Sequence, residues 1–109
     1  MSDKIKLVSG DNRPYITLTL KDADGNVINL TGATVKVYFR AASSTTVLAT
    51  LTCTLVSGGS TGKVMFNFPG TTLNVDAGQY EGEVEITFSD ATVQTVYDVL
   101  KFQVRKQFN

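Results

Sequence analysis

Hydrophobic and polar residues alternate along most of this chain with the period-2 rhythm of half-buried strands. Residues 15–21 set Ile16, Leu18 and Leu20 against Thr17, Thr19 and Lys21. Residues 33–40 do the same with Val35, Val37 and Phe39 against Lys36, Tyr38 and Arg40. The longest run is 46–56, with Val47, Ala49, Leu51, Cys53 and Leu55 on one face and Thr50, Thr52 and Thr54 on the other. Residues 63–68 turn Val64, Phe66 and Phe68 inward. Residues 79–88 turn Tyr80, Gly82, Val84, Ile86 and Phe88 inward and Glu81, Glu83 and Glu85 outward. A short strand over 5–8 and a brief one over 27–30 complete the first part.

The last segment, 92–105, has mixed parity. Pairing across the Ser89-Asp90 turn places Val93, Thr95 and Tyr97 inside, whereas Leu100, Phe102 and Val104 form the apolar set further on. Because a one-residue slip moves every side chain to the opposite face, a bulge is expected between Asp98 and Leu100, near Val99.

Turn residues separate these segments. Asp22-Ala23-Asp24-Gly25-Asn26 and Pro69-Gly70 read as turns, residues 41–45 as a loop, and 57–62 as a flexible hairpin tip. Pro14 donates no backbone hydrogen bond, so the Arg13-Pro14 step belongs at a strand entrance or edge. Seven or eight short strands at roughly 8–12-residue spacing predict an all-β antiparallel sandwich, with residues 1–109 as one domain.

Composition agrees: Val and Thr, whose branched side chains pack well on a pleated surface, make up about a quarter of the chain. Ten basic and ten acidic side chains give zero net charge, against a global field for nucleic acid or anionic lipid. The signs are segregated, however. Between Val64 and Leu100 lie Asp76, Glu81, Glu83, Glu85, Asp90 and Asp98 with no Lys or Arg. Strands of opposite charge are therefore expected to meet in the fold, each pair contributing roughly 0.2–1 kcal/mol. A single cysteine, Cys53, allows no internal disulfide and suits a reducing compartment. Met-Ser-Asp-Lys opens without an apolar signal region, and no apolar run is long enough to span a membrane.

Asp76-Ala77-Gly78-Gln79-Tyr80-Glu81-Gly82 matches the D-x-G-x-Y-x-C pattern that opens strand F of immunoglobulin domains, with Gly82 in place of the cysteine. The match implies an immunoglobulin-like sandwich without a disulfide and a tyrosine corner at Tyr80. It also sets Glu81, Glu83 and Glu85 beside Lys36 and Arg40.

Candidate chemistry is sparse. The chain has no histidine, so it can build neither a Ser-His-Asp nor a Cys-His arrangement nor a His-based metal site. Cys53 falls on a core face and reads as a small hydrophobe. The 22–26 turn lacks the ligand spacing of a calcium loop. Gly58-Gly59-Ser60-Thr61-Gly62-Lys63 lacks that of a phosphate loop, and Glu83 with Glu85 lacks the cleft of a glycosidase pair. No enzyme, cofactor or metal is expected, and catalytic residues are none.

The opening Lys4-Ile5-Lys6-Leu7-Val8-Ser9-Gly10-Asp11-Asn12-Arg13-Pro14 resembles the start of the N-terminal domain of phage baseplate upper proteins and related immunoglobulin-like tail proteins. So do residues 17–26, 28–35 and 77–88 and the Val104-Arg105 pair. The resemblance implies a non-enzymatic virion structural protein, assembled in the host cytoplasm in many copies. It would be a tail or baseplate building block or adaptor that docks onto other virion proteins. A capsid decoration or surface-display module, offering loops 41–45 and 57–62 to the host surface, is the alternative. Baseplate upper proteins continue into a host-facing region, so either a stand-alone protein or an adaptor with more chain beyond Asn109 fits. Neither nucleic acid nor membrane insertion is expected. As interface candidates the sequence offers Arg13 and Tyr15 at the strand entrance, and Tyr38 and Val96 on outer faces.

Overall fold

A computed structural model describes residues 4–13, 15–96 and 99–108. In chain order its strands are β1 (Lys4–Val8), β2 (Ile16–Thr19), β3 (Thr34–Ala41), β4 (Val47–Thr52), β5 (Thr54–Leu55), β6 (Lys63–Phe66), β7 (Gly78–Thr87), β8 (Val93–Thr95) and β9 (Leu100–Arg105). The larger sheet runs β1-β9-β7-β3-β4, with β8 also on β7, and the smaller runs β2-β6-β5. The pair β1–β9 is parallel and the other ladders are antiparallel. This is an immunoglobulin-like β-sandwich, and its single cysteine is a free thiol.

The inner faces supply the core that alternation predicted. Val35, Val37 and Phe39 of β3, Val64 and Phe66 of β6, Val84 and Ile86 of β7, and Phe102 of β9 are buried. Phe39 is the centre: its ring stacks on Tyr80 at 5.1 Å and meets Phe68 and Phe102 edge-on at 5.1 and 5.5 Å. Such geometry adds about 0.5–1.5 kcal/mol per pair beyond buried area. At Gly82, where immunoglobulin domains carry cysteine, a Cβ would sit 2.9 Å from both Phe102 and Val37. The aromatic cluster occupies the space a disulfide would need.

The tyrosine corner is present, with the Tyr80 hydroxyl donating to the Asp76 carbonyl at 2.6 Å. Burial, then the Asp76 carboxylate, pushes the Tyr80 phenol above its ordinary pKa. The segregated charges meet as expected. Lys36, Tyr38 and Arg40 stand opposite Glu85, Glu83 and Glu81, and Arg40 pairs with Glu81 at 3.2 Å.

Four expectations for residues 27–62 need correction. Residues 27–30 form only a bridge between Lys21 and Val27, because the 22–26 turn, held by Asp22 Oδ1 accepting from the Asp24 and Asn26 amides, returns the chain too briefly for a ladder. The 46–56 run breaks at Cys53, and its second part, β5, joins the other sheet. A bulge between Phe39 and Arg40 in the β3–β4 ladder also leaves Val47 exposed rather than in the core. The 57–62 tip is anchored, not flexible: Gly59 is buried, its carbonyl accepts from Leu30, and that of Gly62 accepts from Leu20.

The last segment keeps one parity. Thr87 pairs with Val93 and Glu85 with Thr95, so Val93 and Thr95 lie exposed on the glutamate face. The ladder is interrupted where the bulge was expected: Thr95 stands opposite Glu85 and Leu100 opposite Gly82. Two extra residues preserve parity where one would have inverted it, so Leu100 returns inward. Tyr97 and Asp98, on which part of that expectation fell, lie outside the described residues.

Candidate functional site

The two flanks of the sandwich are built differently. On one flank, β4 passes through Cys53 into β5 and so carries the chain from the larger sheet to the smaller. The Cys53 amide donates to Val35, and burial pushes its thiol up to about 12, leaving it a packed hydrophobe. On the other flank no strand among the described residues makes that crossing. β1 lies wholly in the larger sheet, against β9, and the chain leaves it through residues 9–13 before β2 in the smaller sheet.

That crossing is pinned where it leaves β1. Ser9 Oγ donates to the Val75 carbonyl at 2.7 Å, the Gly10 amide to Leu73, and Asn12 Nδ2 to Gly70. Beyond it, β2 is left as a sheet edge. In β2, Leu18 and Leu20 share the hydrogen-bonding parity toward β6, as the Leu20 amide bonded to Gly62 shows. Alternation therefore turns the amides and carbonyls of Thr17 and Thr19 outward, away from β6. Among the described residues no backbone bond reaches them.

Beside this edge lies a cleft of about 290 Å³. Its floor is Leu18 and Leu20 from the smaller sheet and Val84, Val96 and Leu100 from the larger, while Thr17, Thr19 and Lys21 form the rim. The cleft coincides with the interruption between β8 and β9. The result is an apolar slot alongside unpaired main-chain donors and acceptors.

The sequence candidates do not converge there. Val96 lines the cleft and is half-buried, not on an outer face as expected, because it pairs inward opposite Val84, to whose carbonyl its amide donates. Tyr38 is a local contact: its hydroxyl donates to Glu85 Oε1 at 2.8 Å, and that bond chiefly raises its pKa. Arg13 and Tyr15 are exposed on the crossing before β2. The β2 edge itself escaped sequence reading, because alternation says which residues are buried but not which neighbour a strand has. Among the described residues no three His, Cys, Asp or Glu side chains gather as metal ligands, and no helix is long and apolar enough to cross a membrane.

No family model and no curated protein matches this chain. Among solved structures it is similar to CopC from Methylosinus trichosporium OB3b, with a TM-score of 0.54 and 12% identity over 99% of this chain and 89% of that one. At that identity the likeness is one of fold.

The comparison overturns the virion reading. Tail or baseplate block, adaptor and capsid decoration all rested on short motifs, and the likeness found is to CopC instead. The physical reason lies in what those motifs do here. Residues 9–12 pin the crossing, Asp22 closes its own turn, and Tyr80 makes the corner. These are requirements of the sandwich, so their recurrence reports the fold and carries no information on a virion role.

Proposed function

We propose that this chain is a non-enzymatic peptide-binding domain, a sandwich that takes an extended segment of a partner polypeptide as an added strand along β2. The observation that carries this reading is the unpaired edge of Thr17 and Thr19 directly beside the apolar cleft. Strand addition needs those two features together: main-chain groups supply affinity, and a slot for alternate side chains supplies specificity. The fitting segment is extended, places apolar side chains over Leu18, Val84 and Leu100, and is not basic where it passes Lys21.

A library of seven-residue peptides with alternating apolar positions tests this by titration against the protein and its Thr19→Pro variant. Proline at position 19 removes an amide that points away from β6, so the native ladder survives. The expected result is a bound peptide whose affinity falls at least tenfold in Thr19→Pro, with chemical-shift changes at residues 17–21, Val96 and Leu100. The reading fails if no peptide binds at about 1 mM, a free energy near 4 kcal/mol, or if binding is indifferent to the proline.

A further inference from the structure

Among the described edge strands β1 alone is charged. β2, β4, β5 and β8 carry no Lys, Arg, Asp or Glu, whereas β1 carries Lys4 and Lys6. Both lysines are exposed, and they share the outer face of the larger sheet with Lys101, Gln103 and Arg105 of β9. Lys4 stands directly opposite Lys101, and like charges so placed are destabilising. The acid in that row, Glu81, lies on the far side of Lys101 and is bonded to Arg40 at 3.2 Å. Further along the strand Lys6 lies beside Gln103, and Val8 beside Arg105.

The same two lysines hold the unpaired backbone of this edge. The Ser9 amide bonds the Arg105 carbonyl, which fixes Ile5, Leu7 and Ser9 as the residues bonded toward β9. The amides and carbonyls of Lys4 and Lys6, and the Val8 amide, therefore point outward. Among the described residues no backbone bond reaches them, and the edge ends where the Val8 carbonyl accepts from Asp11. Cationic side chains and outward main-chain groups thus fall on the same residues.

We propose that β1 is a second strand-accepting edge, separate from β2, and that it takes an extended partner segment with acidic residues at alternate positions. A strand laid beside β1 sets every second side chain in line with Lys4 and Lys6, with Cβ atoms about 4.5–5.5 Å apart. Acids at those positions give Lys4 a counter-charge on the side away from Lys101, and a third, beside Val8, reaches toward the Arg105 guanidinium. The chain uses this arrangement once already: Glu81, Glu83 and Glu85 of β7 alternate against Arg40, Tyr38 and Lys36 of β3. Charge selects the occupant. Lysines on an edge oppose an ordinary strand, which strips water from the ammonium groups and returns nothing, so β1 admits only a strand that brings acids. The backbone selects a polypeptide, because neither a glycan nor a nucleic acid has a ladder of amides and carbonyls to offer. No aromatic side chain stands among the outward residues of β1 and β9 for a base to stack on.

Nuclear magnetic resonance titration with nine-residue peptides, at about 0.15 M salt, tests this. One peptide has glutamate at every second position with valine and threonine between. A second holds the same residues with its glutamates consecutive, and a third has glutamine for glutamate. The alternating peptide is expected to bind at or below about 1 mM, with shift changes at residues 4–8 and 101–105. It should bind at least tenfold more tightly than the other two. Thr19→Pro, which alters β2, should leave this binding unchanged. Val8→Pro removes one outward amide, keeps both lysines and should weaken it at least threefold. Lys4→Glu with Lys6→Glu should abolish it, with circular dichroism unchanged. No binding of the alternating peptide to the wild-type chain means that the lysines only blunt this edge, and overturns the proposal. Equal binding of the consecutive peptide, of heparin or of oligothymidylate shows a nonspecific cationic face and also overturns it. So do indifference to Val8→Pro and shifts confined to residues 17–21.

Discussion

One flank of this sandwich is closed by its own chain and the other is not, and the contrast follows from where a single strand changes sheets. The 47–55 segment crosses at Cys53, so its first half completes the larger sheet and its second half the smaller. At the other flank, β1 stays entirely with β9, and nothing among the described residues covers β2. A closed flank yields a sealed thiol and an edge whose outer groups face only solvent. An open flank yields an apolar slot bordered by unpaired backbone. Both flanks thus leave an edge, but only the open one places that edge against the interior of the molecule.

The largest expected contrast is in thiol reactivity. Burial raises Cys53 from an ordinary thiol pKa of 9.0 to about 12, which lowers its thiolate fraction at neutral pH roughly a thousandfold. Below that pKa the thiol stays neutral, so Cys53 in the folded protein is expected to resist alkylation until the chain unfolds. A cysteine placed on the open flank by Val96→Cys, in a Cys53→Ala background, should react far faster under native conditions. Equal rates would break the comparison, and the two are read by mass spectrometry after timed alkylation.

A second contrast lies within the closed flank. Leu51→Pro removes an amide bonded toward β3 and disturbs a residue only 2% exposed, so it should cost about 3 kcal/mol or more. Thr50→Pro removes an amide that points outward and should cost less than about 1 kcal/mol. Urea denaturation of the two variants measures the difference. Similar losses would mean that the β4 edge is not where the parity places it.

A smaller effect tests what both flanks share. Tyr80→Phe deletes the hydroxyl that bonds the Asp76 carbonyl but keeps the ring against Phe39. A loss of about 1 kcal/mol in denaturant stability is expected, the usual net worth of one hydrogen bond. A loss near zero would show that the corner is held by ring packing alone.

Much of this fold is legible in the sequence because alternation is a local signal. Ile16, Leu18, Val35, Val37, Phe39, Val64 and Phe66 announce their faces by their neighbours, and Asp76 through Gly82 announces the corner. The meeting of Glu81, Glu83 and Glu85 with Arg40, Tyr38 and Lys36 was legible too, once β3 and β7 were placed side by side. What failed was whatever depends on partners across space. The break at Cys53 leaves the period-2 pattern intact, so the pattern shows no change of sheet. The parity of residues 92–105 is set by the geometry of the turn before Val93, which alternation does not carry. The turn holds Ala91 at φ 71° and pairs Phe88 with Thr92, which puts Val93 outside. The candidate site was almost wholly hidden. Thr17 and Thr19 look like ordinary outer-face residues, and only the missing neighbour of β2 makes their backbone available.

Residue-resolved amide hydrogen exchange at Thr17 and Thr19 tests the open flank most directly. In the free protein these two amides are expected to exchange fast while those of Leu18 and Leu20, on the β6 side, stay protected. Saturation with a bound peptide should then slow Thr17 and Thr19 specifically. If Thr17 and Thr19 are as protected as Leu18 and Leu20 in the free protein, the edge is already filled and the account is contradicted.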